Sequence, residues 1–318
     1  MHSFLDPAIL FFVFGVLAGT ARSNLEIPPA ISKFLSLYLL MALGLKGGFA
    51  LAKSGLTPEV LKSLGLAVML AIVIPLISYQ ILRRRIAAYD AAAIAATYGS
   101  VSAVTFITAT QALERQGIAF GGHMAAAMAL MESPAIIIAV LFANHLRSQQ
   151  GQTQGQGGLG KVLHESFTDG AQLLLLGAMV IGVLTGDSGK AAMQPFSGDL
   201  FKGMLAFFLL DMGLMTARNL PQLRGQSPWM LAYAVLAPLC HATLAWVLSR
   251  LVGIPPGETA LLMVLAASAS YIAVPAVLRF AIPEAKPSLY FAMSLGITFP
   301  LNILLGIPLY THVATSAW

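Results

Sequence analysis

The sequence predicts an all-α integral membrane protein of about ten transmembrane helices in a five-plus-five inverted repeat. Three observations carry this prediction. Hydrophobic residues make up 58% of 318 residues and charged residues 10%, against about 25% charged in an average soluble domain. The mean hydropathy is +0.81. Short motifs also recur at long separation: Gly99-Ser100-Val101-Ser102 with Ala267-Ser268-Ala269-Ser270, Gly44-Leu45 with Gly213-Leu214, Pro75 with Pro238, and Pro134 with Pro300. Their offsets, 163 to 169 residues, are about half the chain.

Apolar runs and their polar breaks place spans at 8–21, 30–52, 60–82, 88–112 and 121–146, then 163–184, 199–217, 228–251, 257–280 and 287–312, each read against the roughly 20 residues that cross a bilayer. The first is short. Between the sets lies a Gly/Gln-rich stretch that reads as a flexible linker. The expected division is therefore a first five-helix repeat at 1–147, a cytoplasmic linker at 148–161 and a second repeat at 162–318. Residues 1–7 carry no basic region or small-residue cleavage site, so the first apolar segment is expected to be retained as a span.

Charge gives the orientation. Of 18 Lys and Arg residues, eleven follow odd-numbered spans, six lie on the other side, and Lys46 falls within a span. The excess places the odd loops and the linker in the cytoplasm and both termini outside. Five spans per half is an odd number, so the second half enters from the opposite face. The net charge of +5 does not indicate nucleic acid, because the cations flank hydrophobic segments as topology signals do. The lone Cys240 excludes an internal disulfide.

The chemistry sits mid-span. Gly99, Ser100, Ser102, Thr105 and Thr108 in the fourth span, and Ser268, Ser270, Tyr271 and Pro275 in the ninth, can accompany broken helices, which occur in membranes only where they line a cavity. Half-helix N-termini there would offer N–H groups and a positive dipole to an anion. The bland reading is that these hydroxyls serve helix contacts. Glu132, beside Ser133 and Pro134, and Asp211 are carboxylates at costly depth, hence cation ligands, proton carriers or structural partners of a cation such as Lys46. Lys46, near a span end, is expected to snorkel. Arg115 and Arg279 read as flanking charges. His123, His145 and His241 lack partners at ligand spacing, so neither a metal site nor any cofactor is expected. An enzyme has no nucleophile–base set to use, and a sensor has no output module.

On Leu43–Gly48, Tyr98–Thr105, Met131–Ala135, Ala266–Arg279, Ile282-Pro283 and Pro287-Ser288, the chain resembles the sodium-dependent bicarbonate transporter family nearly end to end. The resemblance implies a mobile core and a gate (scaffold) domain, an elevator-like mechanism, and uptake of bicarbonate with sodium. It also implies an inner-membrane location, a homo-oligomer such as a trimer, and a PII-like regulatory protein on the cytoplasmic face. Substrate-binding candidates are then Gly99, Ser100, Ser102, Thr105, Ser268, Ser270 and Tyr271; sodium candidates are Glu132, Ser133 and Asp211. Tyr271 stands where the family pattern has an acid, Ala273 and Val274 replace small polar positions, and the linker is short. Coupling of another small anion to sodium or protons, and cation/proton antiport through Glu132 and Asp211, stay open.

Overall fold

The structure is a computed structural model that describes residues 6–55, 57–149 and 170–316, so the linker expected at 148–161 lies almost wholly outside the described residues. Every regular element among the described residues is helical. The helices are α1 (Pro7–Thr20), α2 (Pro29–Ser54), α3 (Pro58–Leu82), α4 (Ala88–Gly99), α5 (Ala103–Gln116) and α6 (Met124–Gln149). They continue with α7 (Gly170–Met193), α8 (Phe201–Asn219), α9 (Pro228–Val252), α10 (Pro256–Ala267), α11 (Ala273–Ala281) and α12 (Pro287–Ser316). Proline opens α1, α2, α3, α9, α10 and α12, where its missing N–H costs nothing and its fixed φ suits the first turn.

Seven stretches of described residues are long and apolar enough to cross a membrane: Pro29–Lys53, Pro58–Leu82, Ala88–Gln116, Met124–Gln149, Gly170–Leu223, Pro228–Val252 and Pro287–Ser316. α1 and α10 are shorter apolar helices. Gly170–Leu223 holds 54 residues, about 80 Å if straight and far beyond one bilayer. It is interrupted at Gly186, whose φ of 54° and ψ of −137° leave helical space, and by a π-turn at Gln194–Asp199.

Packing separates two groups. α2 lies along α7 and α1 along α8, while α3 packs on α4 and α6, and α9 on α10. The first two pairs approach through glycine. A methyl group on Gly15 would strike the Leu210 carbonyl beside Gly213, and one on Gly182 would sit 2.7 Å from the Leu45 carbonyl beside Gly48. Small residues let membrane helices approach this closely. The glycine of α2 that faces a glycine across the crossing is thus Gly48. Gly44, paired with Gly213 in the sequence, lies one turn earlier against Leu175 and Ala178.

Candidate anion and cation site

Two broken helices define the site. α4 ends at Gly99, Ser100–Ser102 run extended, and α5 restarts at Ala103. A Cβ on Gly99 would fall 2.6 Å from Cβ of Pro75 on α3, so the proline ring needs glycine at this end. Ser102 caps α5, its Oγ accepting the Thr105 N–H at 3.2 Å and the Thr105 hydroxyl at 2.9 Å. In the second half α10 ends at Ala267 and α11 begins at Ala273. There the Ser270 Oγ accepts the Val274 N–H at 3.2 Å.

The breaks are tied to each other. The Ser102 N–H donates to Ser268 Oγ at 3.0 Å, and the Ser270 N–H donates to the Thr97 carbonyl at 2.8 Å. Such bonds satisfy peptide groups that unwinding would leave bare in lipid. Ser100 donates to the Glu132 carbonyl at 3.0 Å, and Ser268, while accepting the Ser102 N–H, donates to the Leu265 carbonyl at 2.8 Å. Thr108 bonds the Val104 carbonyl one turn back at 2.8 Å.

A cavity of about 140 Å³ lies against these breaks, with room for a small oxyanion or several waters. Ser36, Ser102, Glu132, Ser270 and Tyr271 supply its polar wall. Gly99, Ser100, Thr105, Ser268 and Ser133 do not line the cavity. Tyr271 is 4% exposed; its ring meets Phe299 edge-on at 5.1 Å. Its hydroxyl is buried beside Ser102 without a hydrogen bond of ordinary geometry.

Glu132 has a partner absent from the sequence reading. Gln172 on α7, 8% exposed, donates from Nε2 to Glu132 Oε2 at 2.8 Å and reaches Ser133 Oγ at 3.4 Å. An amide inside an apolar run was the available signal. Asp211 on α8 does not line this cavity, and the Ser32 hydroxyl donates to its Oδ2. Neither carboxylate pairs with Lys46. That ammonium is 3.5 Å from Glu114 and 4.5 Å from the centroid of the Phe201 ring. Arg115, expected as a flanking charge, forms an ion pair with Asp6.

Two more acids are buried at helix starts. Asp90 on α4 accepts the Lys286 N–H ahead of α12 at 2.8 Å. Glu258 on α10 accepts from Ser63 and lies 3.4 Å from His123, ahead of α6. Their signal was an acid in the first turn of a helix, favourable beside unpaired N–H groups. His241 meets Ser78 at 3.5 Å. Among the described residues no group of three His, Cys, Asp or Glu could hold a metal ion.

These features define a polytopic helical membrane protein with a small, largely apolar cavity that carries a few polar groups at paired helix breaks. The family model of the Na+-dependent bicarbonate transporter superfamily matches residues 7–315, and the chain belongs to that superfamily. Membership places it among membrane transporters. No curated protein matches it.

Proposed function

We propose that this protein is a sodium-dependent bicarbonate symporter that works as an elevator, its anion held in the cavity between the two helix breaks. The observation that carries the reading is the pair of helix starts, α5 and α11, that meet at one cavity. Both point N–H groups and a positive dipole end at the same space. Ser102 accepts a bond as the cap of α5 and Ser270 accepts the Val274 N–H in the first turn of α11, which leaves each O–H proton for donation to an anion.

Glu132 on the same wall would repel that anion. A sodium ion between them, on Glu132, Ser133 and freed carbonyls, removes the repulsion and makes binding of each ion favour the other. In this account Gln172 holds the Glu132 carboxylate in place. Asp211, which does not line the cavity, steadies the α2–α8 contact through Ser32.

The inverted repeat of ten spans is supported by contacts that exchange when the halves exchange. Gly15 meets Gly213 and Gly182 meets Gly48, at offsets of 167 and 165 residues. Asp90 receives Lys286 while Glu258 faces Gly121 and His123, at offsets of 168 and 165. α1, α2, α7 and α8 would form the scaffold and the other helices the moving core. The cavity takes wall residues from both groups, Ser36 and Ala171 from one and Glu132 and Ser270 from the other. An elevator needs its site at such a boundary. The inner membrane, outside termini, a trimer and a PII-like partner belong to the same proposal.

Thermal unfolding of the purified protein tests the site. Bicarbonate in sodium buffer raises the melting temperature, bicarbonate in choline buffer does so much less, and Ser102→Leu removes the shift. A shift equal in both buffers contradicts sodium coupling; an unaltered shift in Ser102→Leu contradicts the placement. Cation/proton antiport predicts stabilisation by sodium alone.

A further inference from the structure

On the opposite side of the α4–α5 break, two further cavities follow one another between scaffold and core. One, about 280 Å³, is walled by α2, α5 and α8 through residues such as Gly47, Phe106, Gln111 and Phe201. The other, about 690 Å³, is walled by the ends of α2, α5 and α7 and the turn before α8. Lys46, Ala50 and Glu114 line both. Lys46 is the basic residue of the smaller cavity; in the larger, Lys53, Lys190 and Lys202 join it against Glu114, Asp187 and Asp199.

Lys46 stands eight residues before the end of α2, about 12 Å of helix. An ammonium within a membrane-spanning helix is by default functional and is kept out of lipid by lining a cavity, as Lys46 does here. Its side chain is 29% exposed, laid over Phe201 and turned to Glu114 across the boundary between the two helix groups. The Glu114 carboxylate is held in turn by Gln111 Nε2 at 2.7 Å.

We propose that Lys46 is the receiving group for the anion in this crevice, a positioning residue ahead of the transport cavity, and that Glu114 occupies it until an anion arrives. This rests on the anion-transport reading above. A small oxyanion presents the same paired oxygens as the carboxylate, so it can take the place of Glu114 on the ammonium, the displaced carboxylate staying with Gln111 on the open side of the crevice. The exchange also frees the tip of α5 from α2. Lys46 thereby favours anions over cations before the site of tight binding is reached.

The test has one readout that does not depend on transport. Ala50, exposed and lining both cavities, is replaced by Cys in a Cys240→Ser background. Its reaction rates with a negatively charged and a positively charged thiol reagent of equal size are then compared. Lys46→Gln lowers the anionic-to-cationic rate ratio at least fivefold, Glu114→Gln raises it at least threefold, and Lys46→Arg leaves it within twofold. In proteoliposomes with labelled bicarbonate, Lys46→Gln raises KM at least fivefold with the maximal rate within twofold, and Lys46→Arg restores KM. Rate ratios within twofold for both neutral variants overturn the inference, as does an unchanged KM in Lys46→Gln. If the parent protein takes up no bicarbonate, the symporter reading fails, and the labelling ratios alone decide whether Lys46 receives anions.

Discussion

Tyr271 stands where the family resemblance implies an acid, and its surroundings suggest what a tyrosine there accomplishes. A carboxylate there would face Ser102 and the N-terminal end of α11; the tyrosine instead offers a neutral donor whose hydroxyl is buried beside Ser102 with no hydrogen bond of ordinary geometry. A buried polar group left unmade costs about 1–3 kcal/mol, a cost relieved when an anion accepts the proton. Tyr271→Phe is therefore expected to raise the KM for bicarbonate about tenfold, the loss of one bond to a charged group. The melting temperature of the anion-free protein should not fall. A lower melting temperature with unchanged KM would make the hydroxyl structural. The serines were legible in the sequence as a repeated pattern, but their division of labour was not. Spacing alone does not distinguish Ser102, at the cavity, from Ser100, turned to the Glu132 carbonyl. Gln172 and Glu114 were missed as partners because each lies far along the chain from the residue it meets.

Helices were the most legible level. Apolar runs and the polar breaks between them gave most bounds to within a few residues, and the small hydroxyl motifs marked both interruptions. What the sequence did not reveal was which faces meet, because apolar content is nearly the same on the lipid side and the packed side. The α2–α7 and α1–α8 crossings rest on backbones that touch at Gly48 and Gly213. Gly48→Leu is expected to lower the melting temperature by roughly 5 °C or more. Gly177→Leu, where a Cβ meets nothing within 4 Å, should shift it by less than about 2 °C. Equal shifts would place the crossing elsewhere. The end of α6 is held differently, by the buried Arg147 guanidinium on Glu284 at 2.7 and 2.8 Å and on the Ala281 carbonyl at 3.0 Å. Arg147 holds the Glu284 carboxyl below the usual range. A depressed acid stabilises the fold above its unfolded pKa, about 4.3, and that stability is lost as pH falls through the lower folded value. Arg147→Met should thus melt earlier at pH 7, with the difference shrinking in strong acid; a difference independent of pH would assign the effect to packing.

At the scale of the whole molecule, the proposed inverted repeat rests on motifs matched in the sequence and on contacts that exchange between the halves of the chain. Packing groups α1, α2, α7 and α8 apart from the rest, and cavities lie along the boundary on either side of the α4–α5 break. The symporter account makes the two breaks, the Glu132–Gln172 contact and the Lys46–Glu114 pair parts of one path. The most direct test is uptake of labelled bicarbonate into proteoliposomes at fixed alkaline pH, with an inward sodium gradient or with potassium replacing sodium. The account predicts uptake well above empty vesicles only with sodium, and its loss in Ser102→Leu. Uptake by folded protein that is equal in potassium, or no greater than in empty vesicles, would contradict it.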